Sequence, residues 1–223
     1  MTSIIQQGYW LRPSPVLHAG PSHRLGGATR DPRATCPNCQ KPLLTLWELD
    51  ARDPILRLGD AGPASLTVLF CWTCPAAQSN IIYQLPRTGV GFRLLEFAVG
   101  EPSADFPYED YPEAFPPRAL SLVALSEEEQ AVLRELNGDG EVDWSKGLYR
   151  ELSCPRHQVG GEPFLVQPLE DLDCPHCGDR MPLFGTVGND TFGPKKFTDN
   201  DYVQTLVHLC HRCWTVAVYQ RCD

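Results

Sequence analysis

The hydrophobic pattern falls into short runs separated by turn formers, and most of those runs carry strand-forming residues. Residues 65–70 (SLTVLF) and 81–85 (IIYQL) are rich in β-branched and aromatic side chains and flank a cysteine pair. They predict a hairpin with that pair at its tip. Residues 204–209 and 215–219 repeat the design around another pair, and 43–49 and 181–187 predict one further strand each. A helical period stands out over 126–136. There Ser126 precedes Glu127, Glu128 and Glu129, Val132, Leu133 and Leu136 supply an apolar stripe, and Asn137-Gly138 ends it. Ser126 and Glu129 have capping-box spacing, and the acids suit the positive end of a helix. A second short helical stretch is expected over 145–152. The pattern predicts an α+β chain that is mainly antiparallel β.

The cysteines change that picture most. Eight of the ten form four C-x-x-C pairs, Cys36/Cys39, Cys71/Cys74, Cys174/Cys177 and Cys210/Cys213, while Cys154 and Cys222 stand alone. Such a pair turns tightly, so its backbone N–H groups face its sulfurs, and two pairs brought together make a four-thiolate tetrahedral zinc site. Two structural Zn2+ are therefore expected, either within each half or exchanged between halves. Disulfides, a thioredoxin-like motif and iron–sulfur ligation are the competing chemistries. His176, His208 and His211 lie in or beside the later pairs and could replace a thiolate.

Landmarks recur in order. HRLGG at 23–27, CPNC at 36–39, the run into Cys71 and IIYQ at 81–84 are followed by HQVGG at 157–161, CPHC at 174–177, the run into Cys210 and AVYQ at 217–220. This predicts an internal duplication, two homologous zinc-knuckle β repeats joined by an acidic linker with a helix. Residues 1–100 would be the first unit with its four-cysteine site, 101–147 the linker, and 148–223 the second unit with its own site. The Gly-Gly pairs mark a turn or a close backbone approach, and His23 and His157 are expected to hydrogen-bond a turn in each unit.

Charge separates the middle from its flanks. The formal net charge is −9, and residues 101–150 hold twelve acids against four bases. Phe106, Tyr108, Tyr111 and Phe115 are interleaved with the acids there. Rings as anchors beside carboxylates for steering is an interface composition, so Tyr108, Glu109, Asp110, Tyr111 and Glu113 are candidate partner-binding residues for a basic protein. Eight thiolates add −8 and two Zn2+ return +4, which makes the loaded chain more acidic still. No Lys/Arg cluster lies beside any cysteine pair in sequence, which disfavours nucleic acid. No apolar run approaches the ~18 residues of a membrane-spanning helix. The N-terminal stretch has no basic and apolar leader pattern, so a cytoplasmic protein is expected.

The duplicated arrangement resembles the YwqG-like bacterial proteins of unknown function and is similar to the programmed cell death protein 2 family. The residues that carry the likeness are His23, Gly26, Gly27, Cys36, Cys39, Cys71 and Cys74, and again His157, Gly160, Gly161, Cys174, Cys177, Cys210 and Cys213. The resemblance implies protein binding. The eukaryotic relatives imply a chaperone of a ribosomal protein, but their extra zinc finger needs cysteines this chain lacks. The bacterial ones imply no transferable activity, and toxin immunity is one role they suggest.

No G-x-S-x-G, H-E-x-x-H or phosphate loop occurs. Four thiolates also close a zinc shell, leaving no open position for catalysis. The expectation is a non-enzymatic zinc-binding interaction module for a basic protein partner, a toxin-immunity protein in its sharper form. The alternatives are an enzyme whose chemistry the motifs do not show, with a thiol-dependent oxidoreductase using Cys154 or Cys222 as its form, and a zinc-ribbon nucleic-acid binder.

Overall fold

The computed structural model describes residues 5–14, 22–59, 62–71, 74, 80–89, 91–98, 114–188, 191–192, 195–196 and 203–222. In chain order the strands are β1 (Tyr9–Pro13), β2 (His23–Leu25), β3 (Leu44–Asp50), β4 (Ser65–Phe70), β5 (Asn80–Gln84), β6 (Arg93–Ala98), β7 (Arg118–Ala124), β8 (Gln158–Val159), β9 (Leu183–Val187), β10 (Thr191–Phe192), β11 (Lys195–Lys196), β12 (Val203–Cys210) and β13 (Thr215–Cys222). The helices are α1 (Glu127–Leu136) and α2 (Gly147–Leu152). Eleven strands join in one antiparallel sheet in the order β4-β3-β2-β7-β1-β8-β9-β12-β13-β5-β6, and β10-β11 pair separately. The mainly antiparallel β expectation agrees with this. No helix among the described residues is long and apolar enough to cross a membrane.

Helix α1 starts where its capping signal predicts. The Ser126 hydroxyl accepts the Glu129 N–H at 3.1 Å, and the Glu129 carboxylate accepts the Ser126 N–H at 2.7 Å. Val132 and Leu133 face inward and pack with Trp10, Leu125, Tyr149 and Leu152. The helix pair therefore sits on β1 and the end of β7 through its own small core.

One hairpin forms as expected and the other does not. β12 and β13 pair across the fourth cysteine pair, with Cys210 opposite Thr215. β4, by contrast, pairs with β3, and β5 pairs with β13 and β6. The physical reason is Tyr83 on β5. Its buried hydroxyl accepts the Leu69 N–H at 2.8 Å and donates to the Thr67 carbonyl at 2.9 Å. A side chain thus stands where a ladder rung would be, and the sheet curls round until β13 meets β4 and the Tyr83 hydroxyl reaches the backbone of β4.

The sheet also crosses the two halves. β1 pairs with β8 in the second half, β7 pairs with β2 in the first, and β1 and β7 pair with each other. β7 lies inside the stretch expected to be a linker. Its Leu120/Leu122 alternation is short, and the flanking prolines and acids hide it in the sequence.

The glycine pairs explain the HxxGG pattern physically. Gly26 and Gly160 have φ of +66° and +68°, and Gly27 and Gly161 of +87° and +57°. The Gly26 N–H donates to the Leu46 carbonyl at 3.0 Å, and the Gly160 N–H to that of Phe184 at 2.9 Å. Leu46 and Phe184 are each the extra residue at a register shift, in β3 against β4 and in β9 against β12. The left-handed glycine therefore satisfies a bulge carbonyl that the neighbouring strand leaves free. A Cβ at Gly160 would lie 2.5 Å from the Gln7 carbonyl oxygen.

The main core runs the length of the sheet around Trp47, Phe70, Tyr83, Phe184 and Trp214.

Candidate metal centre

Each four-cysteine group is assembled from one tight turn and one strand end. In the first, the Cys36 N–H donates to the Lys41 carbonyl and the Gln40 N–H to the Cys36 carbonyl, while Thr35 and Pro42 form an isolated bridge. In the second, the Cys174 N–H donates to Asp179, the Gly178 N–H to Cys174, and Asp173 bridges Arg180. The same turn therefore recurs at the same spacing. Gln40 and Gly178 hold its left-handed position, with φ of +61° and +73°. Cys71 follows β4 directly, and Cys210 ends β12.

The sulfurs converge. Cys36, Cys39, Cys71 and Cys74 form one group and Cys174, Cys177, Cys210 and Cys213 the other, with ligand atoms within 4.8 Å of one another in each. The closest sulfurs lie 3.5 Å apart for Cys36–Cys74, 3.6 Å for Cys39–Cys71 and 3.7 Å for Cys177–Cys210. A tetrahedral centre with sulfur–metal bonds of about 2.3 Å would space its sulfurs about 3.8 Å apart. A disulfide needs about 2.05 Å, and all eight thiols are free. Both groups form within a half, so the exchanged arrangement is not the one adopted. The donor set fits a tetrahedral dication.

Electrostatics point the same way. Cys36 is pulled down to about 5, first by the hydrogen bond from Cys71, then against burial by the Cys39 and Asn38 amides. Cys71 is pushed up by giving its hydrogen to Cys36 and by burial, and Cys74 is pushed up to about 11, chiefly by burial. In the second group burial works to raise Cys174, but the Thr215 hydroxyl and the His176 and Cys177 amides outweigh it and hold it low. Burial pushes Cys210 and Cys213 up. One thiol in each group is thus held below its ordinary value and neighbouring ones above it, mainly by burial and by hydrogen bonding to the first sulfur, with the like charge of that first thiolate adding to the effect. A cation at the centre removes that obstacle. Asn38 Nδ2 also donates to Cys74 Sγ at 3.2 Å.

Comparison with protein-family models, curated proteins and solved structures finds no match to this chain.

The histidines do not enter the groups. His208 is buried, with Nδ1 2.8 Å from the Met181 carbonyl and Nε2 3.1 Å from the Tyr219 hydroxyl. His176 and His211 are exposed. His23 does bond a turn: the Asp50 N–H donates to Nδ1 at 3.2 Å, so Nε2 carries the hydrogen and donates to Asp53 at 2.8 Å. Asp53 in turn accepts the Ile55 N–H of the short 3-10 turn at Pro54–Leu56. His157 sits differently, edge-on to Trp47.

Among the predicted partner-binding residues, Tyr108, Glu109, Asp110, Tyr111 and Glu113 lie outside the described residues, as does Phe106. Phe115 is buried in the main core, so this ring is packing rather than interface. Cys154 lines a cleft of about 250 Å3 with Arg156 and His157, and its thiol lies 3.4 Å from the Glu151 carbonyl. Cys222 ends β13.

Two features escaped sequence reading. Trp144 is 53% exposed and Val123 40%, the large hydrophobics left open among the described residues. Trp144 follows Glu141 and Asp143, an acid–aromatic juxtaposition that the sequence shows but that only exposure distinguishes from core. Basic residues do gather beside a cysteine pair, which corrects the sequence expectation. Arg87 and Arg212 line a cavity with Cys177 and Cys213, and Arg33 and Arg93 line the adjoining one. They come from distant segments that meet because β5 pairs with β13.

Proposed function

We propose that the chain is a zinc-stapled protein-interaction module without catalysis, built from two homologous knuckle units, that binds a basic protein partner. The observation that carries the zinc reading is the pair of four-cysteine groups whose closest sulfurs stand 3.5–3.7 Å apart. Two such sites would contribute on the order of 10 kcal/mol each to folding. The recurrence of the knuckle hydrogen bonds and of the glycine–bulge contact supports the reading of two copies. The likeness to the YwqG-like and programmed cell death protein 2 families rests on the motif residues alone.

The partner reading rests on charge and on exposed rings. Residues 101–150 are strongly acidic, and exposed Trp144 beside Asp143 has the character of an anchor with a charged rim. A basic toxin is one partner of that chemistry.

Elemental analysis of the purified protein should return two zinc ions per chain, with X-ray absorption giving four sulfurs at about 2.3 Å. Iron, or oxidised pairs without metal, overturns the zinc reading. Affinity purification from the native host then supplies the partner. Neutralising Glu109, Asp110 and Glu113 together should slow its association at low salt, while Trp144→Ala should speed dissociation. A partner indifferent to both sets of changes refutes the docking role.

A further inference from the structure

The two four-cysteine groups are not equivalent in their surroundings. In the first, Cys36, Cys71 and Cys74 are buried members of the main core, and Cys39 packs against it. In the second, Cys174 and Cys210 belong to a small separate cluster with Ile82, Met181 and Ala217. Its other two cysteines, Cys177 and Cys213, are only half-buried. Both line a cavity of about 380 Å3 together with Gln84, Arg87, His176 and Arg212.

This cavity has a chemistry of its own. Four thiolates around a dication leave the centre with net negative charge, which repels an anionic donor. Arg87 and Arg212 stand at the wall that holds Cys177 and Cys213 and, with Asp179 paired to Arg212, offset part of that charge. Their own contacts keep them there: Arg87 donates to the Arg212 carbonyl at 2.9 Å, and Arg212 to the Asp179 carboxylate at 2.7 Å. An outside donor therefore meets two half-buried cysteines in a cleft whose arginines offset part of the centre's negative charge. Among the described residues, the apolar shell that controls access to a metal is thinner here than around the first group.

We propose that the second group is a metal-exchange site, with Cys177 and Cys213 the pair that an external thiolate or carboxylate donor reaches, while the first group is a closed structural staple. The proposal rests on the metal-binding reading above. It divides the labour between two sites that the sequence makes look alike.

The experiment uses the full chain loaded with two equivalents of zinc and challenged with excess EDTA, a carboxylate donor. Released metal is followed by a colorimetric indicator, and samples are quenched with iodoacetamide for cysteine mapping by mass spectrometry. One equivalent should leave about tenfold or more faster than the other. Cys177 and Cys213 should be alkylated while Cys36, Cys71 and Cys74 stay protected. Release of both equivalents in one phase, or earlier alkylation of the first group, overturns the proposal and leaves zinc binding intact. A chain that takes up no metal overturns both. The variant Cys213→Ser should keep one equivalent and cooperative unfolding; loss of both equivalents in that variant also counts against the division.

Discussion

Removing one oxygen from Tyr83 tests how the sheet is closed around the first cysteine group. The hydroxyl holds the Leu69 N–H and the Thr67 carbonyl of β4, two and four positions before Cys71. Burial, only partly opposed by the Leu69 amide, pushes its pKa well up, so it keeps its hydrogen and stays a donor through the neutral range. Tyr83→Phe leaves both backbone groups without that partner. Each buried polar group so stranded costs about 1–3 kcal/mol. Leu69 is buried, but Thr67 is only half-buried, so water can reach its side and the carbonyl belongs at the low end. The expected loss is about 2–4 kcal/mol, which for a chain of this length lowers Tm by about 5–15 °C. Urea unfolding at saturating zinc measures it, since metal concentration must be held fixed. The variant should still hold two equivalents of metal at room temperature. A loss below about 0.5 kcal/mol, the scale of an ordinary surface change, would refute the bridging role and with it the account of why β4 and β5 do not pair.

Two further outcomes follow from buried and capping groups. His23→Ala removes the partner of buried Asp53 and opens a cavity, so urea unfolding should show a loss of about 2–4 kcal/mol; Asp53→Asn should also destabilise, by about 1–3 kcal/mol, because Asp53 accepts His23 Nε2–H and the Ile55 N–H on separate oxygens and the amide leaves one of those N–H groups facing an NH2. At Glu129 burial works to raise the carboxyl pKa, but the Ser126 amide, the Trp10 indole and the Ser126 hydroxyl outweigh it and hold it below its ordinary value of 4.5. The unfolded chain therefore takes up that proton first as pH falls, so the stabilisation is full above the ordinary carboxyl range and fades as pH drops through the lowered folded value; Glu129→Gln should flatten that part of the stability–pH curve, and an unchanged curve would refute it.

Local signals were legible in the sequence because each acts over a few residues. The Ser126–Glu129 box needs only its own turn to form, so α1 begins where the box says. The β-rich runs at 65–70, 204–209 and 215–219 become strands, since their side chains suit a pleated surface wherever it is built. The C-x-x-C turns also fold on local hydrogen bonds, and thus eight ligand candidates could be read from spacing alone, whereas their grouping within each half was decided by the fold.

Pairing across the sheet was decided by tertiary structure. Nothing near β5 in sequence says that it will pair with β13 rather than β4, because the alternatives have similar strand propensity and differ in where the Tyr83 hydroxyl ends up. The exchange of β1 and β7 between halves is likewise a competition among distant edges, and so β7 passed for linker. Phe115 shows the same limit: an aromatic beside acids reads as interface until burial places it in the core. The difference between the two cysteine groups is the furthest from local. Their spacing is nearly identical, but one is wrapped by the main core and the other opens on Arg212, inside its own cysteine pair, and on Arg87, which only the long-range pairing of β5 with β13 brings beside Cys177 and Cys213. Sequence sets which atoms can bind a metal; the packing of remote segments sets which of them solvent can reach.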